Sequence, residues 1–175
     1  MSEQNIDTNT LFEDYIKENL TGETQQNAFN FVQHLISLGI TAGGSTNDGK
    51  YVYKGKTVCY TYFGNSKNMP GYPEPWTVWT CDDDYSKEIE NVPFTNRLKE
   101  IAWANAHKHD INCPSINTWC KGGKRKVIFG RDFDNVCGAM LAFTDPDAAA
   151  LACLKALMEL RKYVAVNCKQ DKDGQ

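Results

Sequence analysis

The run KYVYKGKTVCYTYF, residues 50–63, constrains the fold more than any other part of the chain. Apolar and polar side chains alternate on both sides of Lys54-Gly55, the period of a strand with two unlike faces. Two residues between such runs suit only a tight antiparallel hairpin. The preceding residues obey a different period. Leu11, Phe12, Tyr15 and Ile16 fall on one helical face within residues 9–19, and Thr21-Gly22 breaks that helix. Ala28, Phe29, Phe31, Val32, Leu35 and Ile36 place a second helix over residues 23–38, with Gly39 as its C-terminal cap.

After the hairpin, GNSKNMPGYPEP reads as a loop and WTVWTC as a third strand, closed by Asp82, Asp83 and Asp84, which suit a cap for a short turn or helix over residues 85–90. PFTNRLKEIAWANAH carries Phe94, Leu98, Ile101 and Ala102 at helical spacing. KVIFG and VCGAMLAF then read as two strands, the second with Cys137, Ala139, Leu141 and Phe143 on one face. Asp145, with Pro146 at the first helical position, opens a last helix. Its stripe is Ala150, Cys153, Leu154, Leu157, Met158 and Arg161, ending near Val164. The expected class is α+β, in the order ααβββαββα. A single domain over residues 1–175 holds about five mainly antiparallel strands, with helices packed on one face. Polar tails are expected over residues 1–8 and 167–175.

A length of 175 residues suits one domain with a real core. The net charge of −3 argues against direct nucleic-acid binding as the chain's main role. MSEQNIDTNT lacks the apolar segment of a signal peptide, and no apolar run approaches membrane-spanning length. A cytoplasmic protein is the expectation, with its seven cysteines as reduced thiols or metal ligands.

Three of those cysteines lie in INCPSINTWCKGGKRKVIFGRDFDNVC, residues 111–137. Cys113, Cys120 and Cys137, with His109 or His107 as a fourth donor, have the composition of a zinc site. Their spacing, C-x₆-C and C-x₁₆-C, lacks the paired knuckle that presents two sulfurs from one turn, so buried thiols compete with zinc. No other cofactor is indicated. KGGKRK offers backbone N–H groups among cations but not the order of a phosphate loop, and a solvated turn is the simpler reading. Cys113 near His107 and His109 leaves a cysteine nucleophile open. GRDFDNVC reads as a polar turn, with an Arg–Asp ligand site as the alternative.

The three expected strands after the second helix carry Tyr51, Tyr53, Tyr60, Tyr62, Phe63, Trp76 and Trp79. Alternation puts Tyr60 and Tyr62 on one face and Phe63 on the other, and it separates Trp76 from Trp79. Helices can cover one face fully, which leaves large rings with polar tips on an open one; the alternative is that both faces are covered or that the rings pack flat against one another. Tyr60, Tyr62, Trp76, Trp79 and, in the neighbouring loop, Glu74 are therefore the candidate ligand-binding residues. One tryptophan is expected to be solvent-accessible and the other protected.

WTVWTCDD, followed by KRKVIFGRDFDNVCGAMLAFTDPDAAALACLKALMELRK, resembles an uncharacterised bacterial family of small Firmicutes domains that occur alone or behind AraC-type helix-turn-helix regulators. Its strand–helix arrangement looks like that of GyrI-like effector-binding domains. The resemblance implies sensing or binding and carries no catalytic residues. The expected function is thus a non-enzymatic, sensor-like module for a small molecule or a protein partner. A protein-interaction domain with a zinc-organised late loop, and a small cysteine-dependent enzyme, are the alternatives.

Overall fold

The computed structural model describes residues 8–43, 48–63, 76–80, 90, 93–109 and 122–167. Their order is α1 (Thr8–Asn19), α2 (Gly22–Ser37), β1 (Thr41–Ala42), β2 (Asp48–Tyr53), β3 (Lys56–Phe63), β4 (Trp76–Thr80), α3 (Asn96–Ala104), β5 (Ala106–Lys108), β6 (Lys124–Ile128), β7 (Arg131–Thr144) and α4 (Ala148–Asn167). The class is α+β. All seven described strands pair antiparallel in one open sheet, β1-β2-β3-β4-β7-β5, with β6 also on β7. The expected order of about five strands is corrected to ααββββαβββα for the described elements. The additions, β1 and β5, have two and three residues, too few to show an alternation.

Local chemistry fixes the elements. Gly39, at φ 72°, ends α2 in a Schellman motif: Ile40 N–H donates to Leu35 O at 2.9 Å and Gly39 N–H to Ile36 O at 2.8 Å. Lys54 and Gly55, at φ 49° and 78°, form the tight turn between β2 and β3 that the sequence predicts. Thr95 caps α3 by accepting from Leu98 N–H at 3.3 Å. The last helix starts later than expected. Asp147 is its cap, accepting from Ala150 N–H at 2.8 Å, and Pro146 precedes that cap.

The second half of the sheet departs most from the sequence reading. Phe129 and Gly130, at φ 49° and 79°, make the β6–β7 turn, so of GRDFDNVC only Gly130 is turn and Arg131 to Cys137 are strand. Residues 124–126 of the cationic run lie in β6, not in a solvated loop. Asp132 accepts from both Arg125 Nε and Nη2, at 3.1 and 3.0 Å, which satisfies it within the ladder.

Strand β7 is also irregular. Between Leu141 and Val136 it runs five residues while β5 advances two, from Ala106 to Lys108. The extra residues break the alternation. Val136, Met140, Leu141 and Phe143 therefore join the main core, whereas Cys137 lies in a separate cluster with Trp79. The expectation that Cys137 shares a face with Leu141 and Phe143 is overturned by this irregularity.

All four described helices pack on one face of the sheet. Phe12 and Ile16 of α1, Phe31 and Leu35 of α2, Ala102 of α3 and Leu154, Leu157 and Met158 of α4 meet Tyr51, Trp76, Val78 and Phe143. Gly49 is required here, since a Cβ would lie 3.0 Å from the Phe12 ring and collide with Thr61 Oγ1. The stripe of α4 includes a buried cation: Arg161 is 2% exposed and donates from Nη2 to Thr57 O at 3.5 Å.

Leu157 is 1% exposed at the centre of this layer, so Leu157→Ala should lower stability by about 2–5 kcal/mol in urea melts. A second outcome follows from Cys153, fully buried in α4, whose thiol donates to Leu98 O at 3.4 Å. Burial pushes its pKa from 9.0 up to about 12. The unfolded chain loses that proton first, so stability should fall as pH rises from about 9 towards about 12. Cys153→Ala should flatten that part of the stability–pH curve relative to the parent protein.

Candidate functional site

The pairing register defines the sheet face opposite the four described helices. Lys50, Tyr60, Trp79 and Ala142 stand in one row across β2, β3, β4 and β7. Tyr62, Thr77 and Thr144 form the next row, with Thr77 and Thr144 hydroxyls 3.3 Å apart. Residues directly opposite on neighbouring strands share a face, so these side chains form one surface. Tyr60 and Tyr62 are half-buried and stack along β3, with ring centroids 6.4 Å apart and planes inclined by 25°. They pack with Trp79, Cys137 and Ala142 as an apolar cluster distinct from the helix-covered core.

Trp79 reaches sideways within this cluster. Its ring centroid lies 4.4 Å from that of His107, in an edge-to-face arrangement at 74°. His107 is on β5, and β7 lies between it and Trp79. Neighbouring strands are about 4.8 Å apart. Both rings therefore lean over β7, and they do so beside Ala142, whose methyl leaves the space. The Ala142 N–H is held by Asn105 O at 3.0 Å.

The candidate residues do not all meet. Tyr60, Tyr62 and Trp79 are together. Trp76 belongs to the opposite face, 1% exposed, with its ring centroid 6.1 Å from Phe31. An odd residue spacing along β4 forces that separation. The expectation that one tryptophan is solvent-accessible is also corrected, because Trp79 is only 5% exposed. Its neighbours Tyr60 and Tyr62 are the more accessible rings. Glu74 lies outside the described residues.

The proposed metal ligands are likewise divided. Cys113 and Cys120 lie outside the described residues. Cys137 is 4% exposed against Trp79, a setting that suits a core thiol. His109 is 9% exposed, and its Nε2 is buried without a hydrogen-bond partner among the described residues. Its backbone is fixed: His109 N–H donates to Asn135 O at 2.7 Å, and Asn135 Nδ2 donates to His109 O at 2.8 Å. Gly123 packs on the same pair, where a Cβ would come within 2.8 Å of His109 Cβ and Asn135 Cγ. Among the described residues no three His, Cys, Asp or Glu side chains converge on a metal position.

Sequence reasoning missed the His107–Trp79 contact and the role of Ala142. Both depend on β5 lying beside β7, which no local pattern announces. Comparison with protein-family models, characterised proteins and solved structures gives no match.

Ala142→Leu should test the geometry. The larger side chain would intrude between Trp79 and His107, and urea melts should show a loss of about 1–3 kcal/mol.

Proposed function

We propose that the chain is a non-enzymatic binding module whose sheet face opposite the described helices takes a flat apolar or cationic small molecule at Tyr60 and Tyr62. The stacked pair carries this reading. Two half-buried phenol rings on consecutive outward positions of β3 form a surface with apolar faces and polar edges. Trp79, Cys137 and Ala142 support it from beside and below. Lys50 stands directly opposite Tyr60 on β2 and contributes a polar margin.

Stacking and cation–π attraction suit this arrangement, each worth roughly 0.5–2 kcal/mol, so a ligand covering both rings would bind through several modest contacts. A sensor needs this kind of reversible association. The sequence resemblance of WTVWTCDD and residues 124–162 to a family that looks like effector-binding domains would imply the same role.

The test is a thermal-shift screen with planar heteroaromatic and quaternary ammonium compounds. Compounds that raise the melting temperature should lose about tenfold or more in affinity when Tyr60 and Tyr62 are both replaced by Ala. Tyr163→Ala, on α4 at 66% exposure, should leave binding unchanged. Equal loss in both variants, or full retention in the double variant, would reject the site.

A further inference from the structure

Arg131 opens β7 immediately after the Phe129-Gly130 turn, and it is exposed. Its guanidinium carbon lies 5.4 Å from the Trp103 ring centroid and 5.3 Å from that of Phe133. Both rings are partly buried against the main core. Trp103 is fixed further by its indole N–H, which donates to Ile128 O at 2.6 Å. Two anchored aromatic surfaces therefore hold one cation in place.

Among the described residues, none of the acidic groups forms an ion pair with Arg131, although Glu90 Oε1 is buried without a hydrogen-bond partner. Asp132 takes both donors of Arg125, and one oxygen of Glu90 accepts from Gly130 N–H at 2.6 Å. Among the described residues, the ring contacts are what holds the Arg131 guanidinium, and no carboxylate lies within ion-pair distance of it. Its N–H donors are left for something else.

We propose that Arg131 anchors a carboxylate-binding site at the β6–β7 turn, independent of the face bearing Tyr60 and Tyr62. A free arginine side chain must give up rotamer freedom when it grips a ligand. Here the two rings have already restricted it, which lowers the entropic cost of binding. The rings also displace water from beside the cation, so its attraction for an anion is less screened than on open surface. A planar guanidinium matches a planar carboxylate through two parallel N–H···O bonds. One guanidinium carries a single positive charge, which a monoanionic carboxylate neutralises and a phosphate dianion exceeds.

The carboxylate could belong to a small free acid or to the C-terminus of a peptide. NMR titration distinguishes these, using the Trp103 indole and Arg131 Nε–H resonances of the full chain as reporters. Sodium acetate, at ionic strength matched with sodium chloride, should give saturable shifts below about 100 mM. Arg131→Lys keeps the charge but loses the fork, and should weaken acetate binding about tenfold. Arg125→Lys, altering an arginine already paired with Asp132, should leave it unchanged. A short peptide with a free C-terminus binding about tenfold more tightly than acetate, with its amide inactive, assigns the carboxylate to a peptide. Equal affinity for peptide and acetate assigns it to a small acid. Shifts reproduced by chloride, an unchanged acetate affinity in Arg131→Lys, tighter binding of inorganic phosphate than of acetate, or no saturable shift would each overturn the proposal.

Discussion

The backbone ladder of β7 is the constraint on which the other described elements depend. Its C-terminal part pairs with β4 through residues 141–144, and its N-terminal part pairs with β6 through residues 131–136. Val136 faces both Lys108 and Lys124, while Leu141 faces both Thr80 and Ala106. So β5 occupies one edge of β7, and β4 and β6 follow each other along the other. An unpaired N–H or C=O inside a sheet is costly, so one long strand with both edges occupied fixes three others at once. Among the described residues, β7 is the strand that joins β4, and through it the hairpin of β2 and β3, to the strands of the second half of the chain.

The irregularity in that strand divides the side chains. A regular strand sends neighbouring residues to opposite faces, yet Met140 and Leu141 are both buried in the helix-side core. A comparable adjustment occurs in β3, where Val58 is the extra residue between the Tyr51–Cys59 and Val52–Thr57 pairs, so that Val58 and Cys59 are buried together. Both irregularities increase the apolar surface presented to the helices. They leave Tyr60, Tyr62, Trp79, Cys137 and Ala142 to the other face. The aromatic site is thus what remains after the helix layer has been satisfied, which is why it contains one tryptophan of β4 and not both.

The same distinction explains what was legible in the sequence. Periodicity over residues 9–38 and 50–63 identified two helices and a hairpin, because each element alone has enough residues to show its period. The separation of Trp76 from Trp79 needed only strand geometry. Gly39 and Lys54-Gly55 were readable because a positive φ has a narrow set of residue solutions. The second half was harder. GRDFDNVC has the polar composition of a turn, but Asp132 is held by Arg125 across the ladder, and Asn135 at φ 57° hydrogen-bonds to His109 O. Those partners come from other strands, and composition cannot reveal them. In the sequence His107 has the place of a helix tail, and its contact with Trp79 requires knowing that β5 returns beside β7. The cysteine spacing gave no firm metal site, and two of its three cysteines, Cys113 and Cys120, lie outside the described residues.

Aromatic side chains serve two different purposes around β7. At Trp79 the indole meets His107 across a small residue, which stiffens a face whose accessible rings are Tyr60 and Tyr62. At Trp103 the indole, together with Phe133, supports a cation. The first arrangement suits ligands that stack, since phenol rings offer their faces and need no fixed charge partner. The second suits ligands that accept hydrogen bonds from a planar fork. The two surfaces draw on different residues of β7, Ala142 near one end and Arg131 with Phe133 at the other. The shared strand ties the two surfaces to the same fold, and neither proposed site requires that one ligand contact both.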